Sequence, residues 1–164
     1  PIIFFCENNR YAISVPLSKQ MAVDSVASRA HGYGMPGLTV DGCDIVAVYE
    51  ATAEAARRAR EGRGPTLIEA SVERYLPHTS DDDDRRYRDP ADIEEARKRD
   101  PVRILREQLS QLVILTAEKD AQFQDEARRA VNEATDFAEE ADYPGTESFH
   151  DHVYASDHQS TGGA

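Results

Sequence analysis

An α/β domain built on a parallel sheet is the fold class this sequence predicts, and three observations carry it. Residues 2–6 (IIFFC) are apolar with no polar alternation, the pattern of a strand buried on both faces. Two more short apolar runs, 38–40 and 66–72, alternate with stretches of helical periodicity, and the order strand, helix, strand, helix, strand implies parallel strands joined by right-handed crossovers. A chain of 164 residues, 40% hydrophobic and 30% charged, has enough material for one packed core.

Each element can be justified in turn. After the first strand comes the polar cluster Glu7-Asn8-Asn9-Arg10, and residues 11–15 run into Pro16, which argues for an irregular connection as far as Met21. Val26, Ala27 and Ala30, with polar residues between them, predict a helix of about two to three turns, capped by Asp24 or Ser25 and stopped at Gly32 and Gly34. Residues 38–40 (LTV) form the second strand and end at Asp41-Gly42. Asp44 is a good N-cap for a helix whose positions Ile45, Val48, Tyr49, Thr52, Ala55, Ala56 and Ala59 repeat at helical spacing, with Gly62 and Gly64-Pro65 as the stop. Glu54 and Arg58 stand four apart on it in the favourable order. The third strand is 66–72 (TLIEASV).

Residues 75–90 (YLPHTSDDDDRRYRDP) carry neither period and form a long charged loop, a kind that is usually functional. Helices follow at 91–98, 101–112 and 118–141, the last with an apolar stripe at Phe123, Ala127, Ala130, Val131, Ala134, Phe137 and Ala138 that needs a surface to pack on. The chain therefore divides into an α/β part (1–74), a loop (75–90), a helical region (91–142) and a polar tail (143–164) whose last residues, 159–164, are expected to be disordered.

Composition excludes several function classes. A net charge of −12 repels nucleic acid and anionic membranes, and no apolar run approaches the roughly 20 residues of a membrane span. Cys6 and Cys43 are too few for a disulfide framework and lack metal-type spacing, so reduced thiols in a cytoplasmic protein are expected. The chain has no initiating Met and Pro1 opens directly onto a strand, so its beginning is expected to be missing.

Several constellations could carry chemistry. Asn8 and Asn9 follow a parallel strand, where open α/β sheets bind ligands, and could offer side-chain carbonyls to a cation or phosphate; an ordinary turn is the competing reading. His78 could exchange a proton or hold phosphate, or be a solvated loop residue. Asp81 to Asp84 lack the interleaving and central Gly of a calcium loop, so ion pairs with Arg85, Arg86 and Arg88 are expected. His150 and His152 have no third metal ligand at a useful spacing, and Cys43 has no base near it in sequence, which favours a buried structural thiol.

Four segments in this order, IIFFCENNRYAIS, RAHGYGMPGLTVDG, DIVAVYEATAEAARRAREGRGPTLIE and RYLPHTSDDDDRRYRDP, resemble the alpha subunits of thiamine diphosphate-dependent 2-oxoacid dehydrogenases, most closely the bacterial branched-chain type. The resemblance covers residues 1 to about 154 and implies the carboxyl-terminal half of such a subunit, with 1–74 as the second half of the thiamine diphosphate-binding domain. It implies thiamine diphosphate anchored through Mg, with Asn9 as a side-chain ligand and Tyr11 as a backbone-carbonyl ligand, and with Ile13 and His78 also at the cofactor. The Gly-Asp-Gly opening of that motif is absent from this chain.

His78 matches the loop histidine that supports acyl transfer to a lipoyl group, and Arg74, Asp82, Tyr87 and Arg88 match positions that order the loop. Thr79 stands where mitochondrial relatives have a phosphorylated Ser; a phosphate there would repel the four aspartates and should disorder the loop. The implied partners are a beta subunit in an alpha-two, beta-two assembly, the lipoyl domain of an acyltransferase core and a 2-oxo acid substrate. Two alternatives stay open: a pyruvate or acetoin dehydrogenase alpha subunit, and a truncated, non-catalytic remnant that only binds a partner.

Overall fold

The structure, a computed structural model, describes residues 2–153; the end of the tail, 159–164, lies outside them. It comprises two units, residues 1–115 and residues 116–164. The first holds a three-stranded parallel sheet of β1 (Ile3–Asn8), β4 (Gly37–Asp41) and β5 (Thr66–Ser71) in the order β1-β5-β4. Helices α1 (Ile45–Arg60), α2 (Pro90–Lys98) and α3 (Pro101–Gln111) complete it. This is the predicted α/β class.

The central strand β5 owes its place to its sequence. Thr66, Ile68 and Ala70, which share one face by strand alternation, are all buried, and Ile68 has no exposed surface. The opposite face carries Glu69, also buried, in register with Cys6 of β1 and Thr39 of β4. A 3₁₀ segment, Ala27–Tyr33, lies against this face and approaches β4 so closely that a Cβ on Gly37 would stand 2.1 Å from the Ala27 carbonyl oxygen.

Four expectations need correction. Among the described residues strand β1 is not buried on both faces: it has one bonded neighbour, β5, and Phe4 is 47% and Phe5 44% exposed. Residues 11–16 are a small antiparallel hairpin of β2 (Tyr11–Ala12) and β3 (Val15–Pro16), because Ile13 adopts φ +57° and turns the chain tightly. The helix expected from Asp24 is the 3₁₀ segment, which starts later and ends on Gly34 at φ +68°. On α1, Glu54 pairs with Arg57 at 2.7 Å, while Arg58 donates to the Arg63 carbonyl.

Caps set the helix starts. Asp44 accepts from the Val46 and Ala47 N–H groups at 3.0 Å, Asp89 from Ala91 and Asp100 from Val102, the last two with Pro at the first helical position. Asp44→Ala is expected to cost about 1 kcal/mol, read as a lowered urea midpoint with an unchanged slope.

The second unit is dominated by α4 (Ala117–Glu140), capped by Thr116, whose hydroxyl accepts from Lys119 N–H. Its stripe residues Phe123, Val131 and Phe137 are exposed. Among the described residues no helix is long and apolar enough to cross a membrane.

Candidate functional site

The end of β1 and the hairpin after it hold the first half of the site. Each asparagine there folds its side chain back onto the chain: Asn8 Oδ1 accepts from Arg10 N–H at 2.9 Å, and Asn9 Oδ1 from Tyr11 N–H at 3.0 Å. The turn reading and the ligand reading are compatible for Asn9, because an amide oxygen has two lone pairs. Asn8 is more committed, since its amide also donates to Glu69 at 2.6 Å. Leu17 N–H donates to the Arg10 carbonyl at 2.8 Å, which makes Tyr11 and Pro16 a non-hydrogen-bonded pair of the hairpin, so the Tyr11 carbonyl takes no ladder bond from its register partner. Asn9 Oδ1 and the Tyr11 carbonyl are two neutral oxygens from residues two apart in the chain, the kind of donor a hard cation takes.

The second half is the loop after β5. Asp82 accepts from the Tyr87 hydroxyl and from His78 N–H, the latter at 2.8 Å. Arg74 donates to the Tyr87 hydroxyl and to the Ile13 carbonyl, both at 2.9 Å. Tyr11 and Tyr87 stack at 5.9 Å between centroids, with Arg74 and Arg88 over the Tyr11 ring at 5.7 and 5.6 Å. Arg88 also donates to the Arg74 carbonyl at 2.8 Å and pairs with buried Asp84 at 3.4 Å.

One connected network thus joins Tyr11, Ile13, Arg74, Asp82, Tyr87, Arg88 and the backbone of His78. Asn9 enters it through the Tyr11 N–H. The His78 and Thr79 side chains are exposed on the loop surface. A cavity of about 560 Å3 opens beside the hairpin, lined among others by Asn9, Tyr11, Glu73, Arg88 and Arg99. Ile13, Arg74 and His78 are not in its wall.

The aspartate run diverges instead of converging. Asp82 serves Tyr87 and His78, Asp83 pairs with Arg85 at 2.7 Å, and Asp84 pairs with Arg88. Ile13 is the strained residue of the site, a β-branched side chain at positive φ, 55% exposed, with its carbonyl pinned by Arg74. Cys43 is buried, and burial pushes its thiol up, away from nucleophilic reactivity. His150 stacks edge-on with Phe149 at 5.1 Å in the second unit.

Two groups escaped the sequence reading. Glu69 lies inside an otherwise apolar strand run, a visible signal that a carboxylate is held in the interior. Arg10, Glu73, Arg99 and Asp41 form an ion-pair chain: Arg10 to Glu73 at 2.5 Å, Arg99 to Glu73 at 3.4 Å and Arg99 to Asp41 at 2.7 Å. Their separation along the chain hid them.

The hydrogen bond from Tyr87, reinforced by His78 N–H, holds the Asp82 carboxyl below the usual carboxylate range. Its contribution to loop order is present above the ordinary Asp value of about 3.9 and is lost as pH falls through the lower folded value. The His78 amide resonance should therefore titrate below the usual carboxylate range. Tyr87→Phe should move that titration up toward the ordinary carboxylate range and speed tryptic cleavage at exposed Arg85 and Arg86 several-fold; an unchanged cleavage rate would contradict the network's role.

Comparison with known proteins adds the lineage. Residues 1–147 match the family model described as the dehydrogenase E1 component. The chain is 52% identical over 155 residues to the 2-oxoisovalerate dehydrogenase subunit alpha of Bacillus subtilis, covering 94% of this chain and 47% of that protein. It is 51% identical over 102 residues to the 3-methyl-2-oxobutanoate dehydrogenase subunit alpha of Mycobacterium tuberculosis, covering 62% of this chain and 28% of that one. To the pyruvate dehydrogenase E1 component subunit alpha of Staphylococcus epidermidis it is 39% identical over 155 residues, covering 94% of this chain and 42% of that one. The chain spans about half, or less, of the length of these curated relatives. A family match across nearly the whole chain, agreeing with the motif order and the α/β sheet, leaves one conclusion: the chain belongs to the dehydrogenase E1 component family.

Proposed function

We propose that this chain forms part of the alpha subunit of a thiamine diphosphate-dependent dehydrogenase that oxidatively decarboxylates branched-chain 2-oxo acids. It works with a beta subunit in an alpha-two, beta-two assembly in the cytoplasm and passes the acyl group to a lipoyl domain. The observation that carries this reading is the tie between the Asn9–Tyr11 donor pair and the loop bearing His78, made by Arg74, Tyr87 and Asp82. The free thiols Cys6 and Cys43 agree with a reducing compartment.

The chain's own residues have separable tasks. Asn9 Oδ1 and the Tyr11 carbonyl would hold Mg, an ion that prefers oxygen ligands, together with groups outside this chain. Ile13, exposed and fixed in a strained turn, offers an apolar contact to the cofactor. Bound there, thiamine diphosphate supplies the electron sink for loss of carbon dioxide from a 2-oxo acid. His78, held at its backbone by Asp82 with its imidazole free, exchanges a proton with the acyl-transfer partner. Arg74, Tyr87 and Arg88 keep the loop against the hairpin.

Substrate choice follows the relatives. Over the same 155 residues the 2-oxoisovalerate relative is more similar than the pyruvate relative of S. epidermidis, 52% against 39%. A second reading, a pyruvate dehydrogenase subunit, draws on the 52% identity over 103 residues to the Staphylococcus aureus pyruvate dehydrogenase E1 component subunit alpha. The test is calorimetric titration of the assembled protein with thiamine diphosphate and Mg, followed by kcat/KM for 3-methyl-2-oxobutanoate and for pyruvate. Micromolar, Mg-dependent binding with preference for the branched acid is expected. Preference for pyruvate would establish the second reading, and absence of binding would leave only a non-catalytic, partner-binding role.

A further inference from the structure

The least explained group in the first unit is Glu69. It is 2% exposed at the centre of the sheet, where an apolar residue would pack at no electrostatic cost. Its two oxygens are divided between tasks. Oε2 accepts from Ala27 N–H at 2.8 Å and from the Thr39 hydroxyl at 3.2 Å, which ties β5 to the 3₁₀ segment and to β4. Oε1 accepts from the Asn8 amide, at 2.6 Å. Burial pushes this carboxyl up, but the Ala27 N–H, the Asn8 amide, the Val26 N–H and the Thr39 hydroxyl together hold it below the usual carboxylate range, so it is a charged acceptor.

The Asn8 bond is the route to the site. With its Nδ2 fixed by Glu69, Asn8 can present only Oδ1 to the Arg10 N–H, at 2.9 Å. Arg10 has φ +66°, a left-handed conformation that a non-glycine residue holds only when its surroundings enforce it. That turn sets the direction in which Asn9 and Tyr11 leave β1. We propose that Glu69 is a positioning residue for the cation site: through the Asn8 amide it locks the strained turn at Arg10 that presents Asn9 Oδ1 and the Tyr11 carbonyl together. The inference rests on the reading that Asn9 and Tyr11 hold Mg with thiamine diphosphate.

The hydrogen-bond pattern provides a swap. In Glu69→Gln the new amide oxygen can still accept from Ala27 and Thr39, but its NH2 then meets the Asn8 NH2, and flipping Asn8 only moves the clash to the Arg10 N–H. In Asn8→Asp the acceptor for Arg10 survives, but two carboxylates face each other. In the double variant Asn8→Asp/Glu69→Gln amide and carboxylate exchange places: Arg10 N–H, Ala27 N–H and the Thr39 hydroxyl keep their acceptors, the amide-to-carboxylate bond is restored, and the net charge is that of the native pair.

The assembled protein is titrated with Mg at fixed thiamine diphosphate, and the readout is the Mg concentration that half-saturates the rise in melting temperature, which is independent of activity. Each single variant is expected to raise that concentration about tenfold, the size of one lost charge-assisted bond. The double variant is expected to return within about threefold of the native value, as pairwise coupling requires. Native-like half-saturation in the single variants, or a double variant no better than they are, overturns the proposal while leaving the cofactor reading intact. A native protein whose melting temperature ignores Mg and thiamine diphosphate overturns both. If Glu69→Gln does not fold, Asn8→Asp against the double variant decides the same question, because Asn8→Asp leaves the bonds of Glu69 to Ala27 and Thr39 in place.

Discussion

Replacing Arg88 with alanine is expected to destabilise the first unit by about 3 kcal/mol, a drop of roughly 10 °C in melting temperature for a unit of this size. Arg88 is 7% and Asp84 8% exposed, so truncation leaves a buried carboxylate without its paired guanidinium. The same change removes the donor to the Arg74 carbonyl and the guanidinium over the Tyr11 ring. Arg85→Ala is the internal control: its pair with Asp83 is exposed and screened by solvent, so its loss should barely move the unfolding midpoint. Urea unfolding of both variants checks the contrast. Equal, small losses would mean that the Arg88 pair does not hold the loop.

Asn9→Ala is expected to weaken Mg-dependent binding of thiamine diphosphate by about 100-fold or more, since even residues behind the ligands of a metal commonly cost 10- to 100-fold. Alanine also removes the acceptor for the Tyr11 N–H, so ligand and turn are lost together. Asn9→Asp separates them: it keeps that acceptor, adds a negative charge and should retain the cation. His78→Ala should spare cofactor affinity and lower turnover in the lipoyl-coupled assay by about 100-fold or more, the usual scale for a proton-transferring side chain. Equal cofactor affinity in native and Asn9→Ala protein would remove Asn9 from the metal shell, and a loss of turnover below about tenfold would remove His78 from the chemistry.

Local patterns were legible in the sequence and long-range ones were not. The strand at 66–72, the α1 cap at Asp44 and the stop at Gly62 follow from apolar runs, capping chemistry and glycine geometry, all set by neighbouring residues. The expected helix at 101–112 begins where α3 does, at Pro101, whereas α2 begins one residue before the expected 91, at Pro90 behind its Asp89 cap. The apolar content of residues 2–6 was read as burial, but burial is a property of the neighbours a strand has, and β1 has one.

The hairpin at 11–16 was missed because it depends on Ile13 taking a backbone conformation its own chemistry disfavours, pinned from 61 residues away by Arg74. The link from Glu69 to Asn8 spans the same separation. Spacing arguments reach about one helical turn or one strand pair, so contacts of this kind appear only once the sheet is assembled.

The central claim is that the Asn9 hairpin and the His78 loop serve one bound coenzyme, and paramagnetic relaxation measures this directly. With Mn replacing Mg in the presence of thiamine diphosphate, the side-chain amide of Asn9 and the ring protons of His78 should both broaden relative to the Mg-loaded protein. Broadening of Asn9 with an unaffected His78 ring, or of neither, would contradict the account.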